Sequence, residues 1–168
     1  MMDGGQSDVR ALRLVDGTLG HIEAIVPFMR SDEVEQYLAV TGDKFFDPAD
    51  ACFLFARIGG PRWTITDGRG DLLVTGGIET LRQGVGRAWM AGPLAAWQKH
   101  GMGITRLCRR LFNAAIEGEH YDRIEILALP SRTAAHDWYK RGLGFELEGI
   151  RKRYQNGHDF VAYTKTRP

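Results

Sequence analysis

Residues 87–116 read RAWMAGPLAAWQKHGMGITRLCRRLFNAAI, and this stretch decides the fold. Residues 88–96 are apolar or small, broken only by Gly92-Pro93, and predict a buried strand. Residues 98–103, Gln-Lys-His-Gly-Met-Gly, predict a glycine-bearing turn. Beyond them Ile104, Leu107, Cys108, Leu111, Phe112, Ala115 and Ile116 recur at the spacing of a helix's buried face. The first N–H groups of a helix lack intrahelical partners and sit at the positive end of its dipole. Glycines let such a backbone approach an anion closely, so Gly101 and Gly103 predict a phosphate site.

Upstream, residues 9–15 alternate as a strand, after a loose tail over residues 1–8. Thr18 suits the cap of a first helix carrying Leu19, Ile22, Ile25, Val26 and Met29. A second helix starts at Ser31, with Asp32, Glu33 and Glu35 near its positive end, and stops at Gly42. Asp47-Pro48 opens a third, with proline where its missing N–H costs least. Gly59-Gly60-Pro61 ends it. Strands follow around Trp63-Ile65 and over residues 71–81, where Gly76-Gly77 predicts a bulge or a close backbone approach. Gly84-x-Gly86 leads into a strand rather than a helix, so no phosphate site is expected there.

Downstream, residues 122–129 form a short apolar strand closed by Pro130. Ser131 caps a helix bearing Ala134, Ala135, Trp138 and Tyr139, and Gly142 and Gly144 end it. Residues 145–154 and 160–166 are two strands, and Asn156-Gly157 between them is a strong hairpin signal. Successive strands imply an antiparallel meander, and the strand–helix–strand step over residues 87–129 implies a right-handed parallel crossover. The fold class is therefore α+β, or mixed α/β: a mostly antiparallel sheet of about seven strands, one parallel pair, and flanking helices in one domain.

Composition narrows the function. At 168 residues with 43% hydrophobic and 26% charged content, the chain reads as one globular domain. A net charge of +1 makes no case for nucleic acid or an acidic membrane. Cys52 and Cys108 sit in apolar helical patterns and read as buried thiols in a reducing compartment. The polar opening MMDGGQSD predicts no signal peptide, and no apolar run is long enough to span a bilayer. The histidines at 21, 100, 120, 136 and 158 show no metal-ligand spacing. No Walker loop and no Gly-x-Ser-x-Gly elbow is present.

The chain resembles the GNAT family, the Gcn5-related N-acetyltransferases. Gln98-Lys99-His100-Gly101-Met102-Gly103 is similar to the family's Gln/Arg-x-x-Gly-x-Gly/Ala pyrophosphate motif. Residues Ala135 to Phe145 resemble its Ala-x-x-Leu-Tyr-x-x-Leu-Gly-Phe signature with one extra residue, Gly142. Arg132 stands where the family often has Asn, and the central strand has no carboxylate. The resemblance implies acetyl transfer from acetyl-CoA, as co-substrate, to an amine of a small-molecule or protein acceptor. It implies pyrophosphate contacts from Gln98, Lys99, Gly101, Met102, Gly103 and Ile104, and Tyr139 as the acid that protonates the leaving thiolate. Arg106, Arg109 and Arg110 form either a solvated basic face or a contact to the 3′-phosphate. For the base, Glu79, Glu125 and His100 all stay open, with Glu79 first, and a water chain could replace them. Met29-Arg30-x-Asp32-x-x-Glu35 and Trp63-Thr64 resemble the phage-encoded branch of the family. That branch implies an alternative: a non-catalytic internal virion or tail-associated component, in a phage particle rather than the cytoplasm. Homo-oligomerisation is left open.

Overall fold

In the computed structural model, residues 11–168 are described. The expected tail over residues 1–8, and the start of the strand expected over 9–15, lie outside them. Four strands follow one another in antiparallel pairs: β1 (Arg13–Asp16), β2 (Arg62–Thr66), β3 (Leu72–Arg82) and β4 (Val85–Ala91). β5 (Arg123–Ala128) lies parallel to β4, the one parallel pair. β6 (Glu146–Gln155) and β7 (His158–Thr166) complete a seven-stranded sheet ordered β1-β2-β3-β4-β5-β7-β6. The mixed α/β class, the meander and the single parallel pair match the sequence reading.

Local chemistry explains most boundaries. α1 (Leu19–Ile25) is capped by the Thr18 hydroxyl, which accepts from His21 N at 3.2 Å. Pro27 cannot continue its ladder, so the chain runs on as a 3₁₀ turn, Val26–Phe28. α2 (Ser31–Thr41) stops at Gly42, which takes φ 80°. α3 (Pro48–Arg57) begins where Asp47 Oδ1 accepts from Ala49 N at 2.8 Å and Asp50 N at 3.1 Å. At the β6–β7 turn Asn156 and Gly157 take φ 49° and 78°, as the Asn-Gly signal requires. Gly76 and Gly77 mark a close approach rather than a bulge. A Cβ on Gly77 would fall 2.6 Å from the Trp89 indole nitrogen, and the register shift lies further along, at Thr80/Arg82.

The structure departs from expectation after β4. The strand ends at Ala91, not at residue 96, and α4 (Leu94–Glu117) begins directly after Gly92-Pro93. Residues 98–103 are helical throughout. Pro93 is the N-cap, where its missing N–H is no loss. Ala96 continues the buried face of Ile104, Cys108, Phe112 and Ile116 by two more turns. That contact carries the helix through two glycines, each a cost of about 1 kcal/mol relative to alanine.

The extra residue Gly142 is absorbed by the backbone. α5 (Thr133–Asp137) runs straight into a π-turn, Trp138–Gly142, in which Leu143 N reaches Trp138 O at 2.9 Å. A π-turn holds one residue more per turn than an α-helix, so the helix widens instead of the loop lengthening. A Cβ on Gly142 would sit 2.6 Å from Trp138, so only glycine fits there without displacement.

Side chains alternate across the pleat and separate two cores. Trp63, Ile78, Ile124 and Ile126 meet α4 and the π-turn on one face. Ile22, Val26, Met29, Tyr37, Ala51 and Ala91 meet on the other, beneath α1, α2 and α3. Both cysteines are free thiols, and burial pushes Cys108 up to about 12. β6 is an outer strand whose register slips at Leu147/Gly149 and again between Arg151 and Gln155.

Candidate functional site

β4 and β5 pair only at Val85–Arg123, Gly86–Ile124 and Arg87–Glu125, and then part. Past that point β4 keeps its β3 partner and β5 keeps β7. Their facing edges would leave backbone donors and acceptors unpaired, a cost of about 1–3 kcal/mol per buried group. Side chains of α2 meet that need. Gln36 Nε2 donates to Leu127 O at 3.0 Å, and Gln36 Oε1 accepts from Leu129 N at 3.1 Å. Glu33 Oε2 accepts from Gly92 N at 3.3 Å and from Arg30 N at 3.1 Å. Glu33 and Gln36 are one helical turn apart, so one helix holds both strands open.

A cavity of about 470 Å³ runs through this opening, within the size range of small-molecule sites. It is lined by Ala88, Met90 and Ile126 on the α4 side of the sheet, and by Arg87, Trp89 and Leu127 on the other. It therefore crosses the sheet. Trp97, Trp138 and Tyr139 wall the α4 side, while Tyr37, Phe55, Arg57 and Glu79 wall the α2–α3 side.

Tyr139 is buried, and among the described residues its hydroxyl has no hydrogen-bond partner. Burial pushes its phenol above the usual range against the pull of Arg132, so the group holds its proton. Trp97 packs edge-on against Trp138 at 4.8 Å, and the Arg30 guanidinium lies over it at 4.9 Å. Among the described residues the buried Trp97 Nε1 donor has no hydrogen-bond partner, and neither has Arg30 Nε, which lies 3.6 Å from Asp32 Oδ1. Buried N–H groups are nearly always paired, so the wall is short of oxygen acceptors. Burial pushes the Glu33 carboxyl up despite Arg30 and Arg132. Arg132 is buried and donates to Asp32 at 2.9 Å and Gln36 at 3.0 Å, tying the start of α5 to α2.

Two residues singled out from sequence, Tyr139 and Glu79, lie on this one cavity. The other six do not line it. Gln98, Lys99 and Met102 project to solvent, Gly101 and Gly103 are half-buried, and Ile104 is fully buried in the core. Their amides lie beyond the first four of α4, so the helix ladder uses them and no glycine turn offers them to a phosphate. Gly103 has a packing reason instead: a Cβ there would lie 2.6 Å from Leu12.

Of the other candidate bases, His100 is helical. Glu125 is buried under Arg87 and Arg151, at 2.7 Å and 3.0 Å. Burial alone would raise its pKa, but those arginines hold it below the usual carboxylate range, as a counter-ion rather than a base. His136 accepts from the Tyr163 hydroxyl at Nδ1 and donates to Leu129 O from Nε2, each at 3.0 Å. Sequence reasoning missed Arg30, Glu33, Gln36 and Trp97. The available signal was Glu33 and Gln36, one helical turn apart and in line with Val40 among apolar neighbours, which marks polar groups on an inward face.

Solved structures share this architecture. A GCN5-related N-acetyltransferase from Kribbella flavida superposes with a TM-score of 0.68 at 19% identity, covering 93% of this chain and 98% of that one. The chain has the GNAT fold. Spermidine N-acetyltransferase from Vibrio cholerae, solved with CoA and spermine, gives 0.69 at 12% identity over 93% and 95% of the two chains. A GNAT phosphinothricin acetyltransferase from Sinorhizobium meliloti, solved with acetyl-CoA, gives 0.64 at 16% over 93% and 88%. No family model and no curated protein sequence matches the chain.

The donor set of the cavity wall is compatible with the acyl-bearing arm of acetyl-CoA. The arm brings carbonyl oxygens, and Trp97 Nε1 and the Tyr139 hydroxyl are donors on the wall without partners among the described residues. Among the described residues no helix is long and apolar enough to cross a membrane. Nor does any group of three or more His, Cys, Asp or Glu side chains there suit a metal.

Proposed function

We propose that the chain is an acyltransferase that moves an acetyl group from acetyl-CoA to the amine of a small-molecule or protein acceptor. The observation that carries this reading is the cavity that crosses the sheet where β4 and β5 part, with the Tyr139 hydroxyl, unpartnered among the described residues, on its wall. Acetyl-CoA supplies the acetyl group as a thioester. A carbon–nitrogen bond forms and the carbon–sulfur bond breaks; of the two protons the ammonium gives up, one passes through Glu79 to water and the other balances the proton that ends on the sulfur.

Tyr139 holds a proton at its hydroxyl on the α4 side and donates it to the departing sulfur. Glu79 stands on the opposite side of the sheet, half-buried, and receives the acceptor's ammonium. Trp97 Nε1 donates to a carbonyl oxygen of the arm. The Gln98 and Lys99 side chains, exposed on the second turn of α4, meet the phosphates in place of the missing glycine turn.

The helical course of residues 98–103 favours one other reading: a GNAT-fold component without turnover, such as a phage-particle protein. Titration calorimetry with acetyl-CoA separates the two. Micromolar binding, weakened by Trp97→Phe and retained in Gly101→Ala, supports the transferase. No binding to a folded sample, together with co-sedimentation with particles, supports the other.

A further inference from the structure

Three charged residues stand in a row across the α2–α3 face of the sheet. Arg87 on β4 is the direct register partner of Glu79 on β3 and of Glu125 on β5. Neighbouring strands lie about 4.8 Å apart, and residues in direct register share a face, so the Arg87 guanidinium is within reach of either carboxylate. It goes to one. Arg87 Nε and Nη2 donate to Glu125 Oε1 at 3.0 Å and 2.7 Å, and Nη2 also donates to the Tyr154 hydroxyl at 3.1 Å. Arg151 crowds the same side. Its Nη2 donates to Glu125 Oε2 at 3.0 Å and its Nη1 to the Tyr154 hydroxyl at 3.4 Å.

Glu79 receives none of these. Among the described residues its carboxylate has no ion pair and no hydrogen bond, although it lines the cavity and is half-buried. The asymmetry has a physical cause. Glu125 is only 4% exposed, and an ion pair strengthens as water is excluded from it. The Tyr154 oxygen adds a second acceptor on that side, and Glu79 has no counterpart to it.

We propose that Glu125 and Tyr154 form a latch that holds Arg87 away from Glu79 and so keeps the Glu79 carboxylate open to a cation entering from the cavity. Arg87 is then a positioning residue, one strand away from the carboxylate it would otherwise neutralise. The consequence for the acceptor, that its ammonium meets a carboxylate not already paired, rests on the transferase reading; the latch itself does not.

The latch is tested without substrate. A water-soluble carbodiimide with glycinamide amidates accessible carboxylates, and mass spectrometry of the tryptic peptide over residues 70–82 reads Glu79 against exposed Asp71 in the same peptide. Glu125→Gln releases Arg87 to cross to Glu79. Labelling of Glu79 should then slow about threefold or more relative to Asp71, and a crystal structure of the variant should place Arg87 within ion-pair distance of Glu79. Glu125→Gln with Arg87→Gln should restore the wild-type rate. Arg87→Gln alone leaves Glu125 with Arg151 and should not change the rate. The latch is overturned if Glu125→Gln leaves Glu79 labelling unchanged or if the double variant stays slow. It is overturned equally, whether or not Glu125→Gln folds, if Arg87→Gln alone speeds the labelling, since Arg87 would then already rest on Glu79.

Thiol release from acetyl-CoA, with spermidine and 2-phenylethylamine as the amines, tests the transferase reading separately. An amine that is turned over should show a KM raised about tenfold in Glu125→Gln, by more than kcat falls, and restored in the double variant. An unchanged KM would overturn the latch's role at the acceptor site. No thiol release by the wild type, with labelling as expected, would leave the latch standing and count against the transferase reading alone.

Discussion

Gln36 stands beside Leu127 as a residue of a neighbouring strand would: its amide donates to the Leu127 carbonyl at 3.0 Å. The same amide accepts from Leu129 N and from Arg132. A helix side chain thus substitutes for the β4 backbone that would otherwise pair there. Gln36→Leu would strand those groups. It should cost about 2–4 kcal/mol in urea unfolding, or some 5–15 °C in melting temperature. An unchanged midpoint would mean that water replaces the amide without loss.

Because Gly101 lies inside α4 with open space around its Cα, Gly101→Ala should stabilise the protein by about 1 kcal/mol. Helical residues at this position need no special backbone angle. Were residues 98–103 a phosphate-binding turn, the same substitution would weaken acetyl-CoA binding and gain no stability. Thermal melting and calorimetry on one variant decide between these.

Tyr139→Phe removes only a hydroxyl that has no partner among the described residues. Stability should change by less than about 1 kcal/mol, while turnover falls about 10²- to 10⁴-fold with acetyl-CoA affinity retained. Since burial raises the phenol's pKa, the wild-type rate should show no loss of this acid below about pH 10, where a free tyrosine titrates. A basic limb below that pH, absent from the variant, would contradict the assignment.

Two carboxylates give opposite pH responses. Arg151 and Arg87 hold Glu125 below a free glutamate's pKa of about 4.3, despite its burial. Its contribution is therefore present above that pH and lost as pH falls through the lower folded value. Glu33 is raised by burial, so its contribution is present below pH 4.3 and lost as pH rises through the higher folded value. In urea unfolding between pH 3 and 7, the deficit of Glu125→Gln should widen with rising pH. Glu33→Gln should gain on the wild type over the same range.

The elements that the sequence disclosed were those with local causes. Thr18, Asp47-Pro48, Gly42 and Asn156-Gly157 each set a boundary through their own backbone chemistry, and each stands where it was read. Gly92-Pro93 misled because an interruption inside an apolar run and a helix N-cap look alike without the fold. Ala96, two turns before Ile104, was the clue that the buried face starts earlier. Tyr139 was legible through a motif, and Glu79 as a carboxylate next to the central strand. Glu33 and Gln36 were not. Their partners Gly92, Leu127 and Leu129 are 59, 91 and 93 residues away in sequence, and only the docking of α2 brings them together.

The broken register of β6 has its own consequence for molecules in concentrated solution. An outer strand with Leu147 and Ile150 exposed would ordinarily invite another chain to zip along it into a fibril. Here the slips at Leu147/Gly149 and between Arg151 and Gln155 leave only Gly149, Ile150 and Arg151 in regular succession. Arg153 bends the backbone further with φ 46°. So short a template gives an incoming strand little to hold, which guards the sheet's open margin against runaway self-assembly.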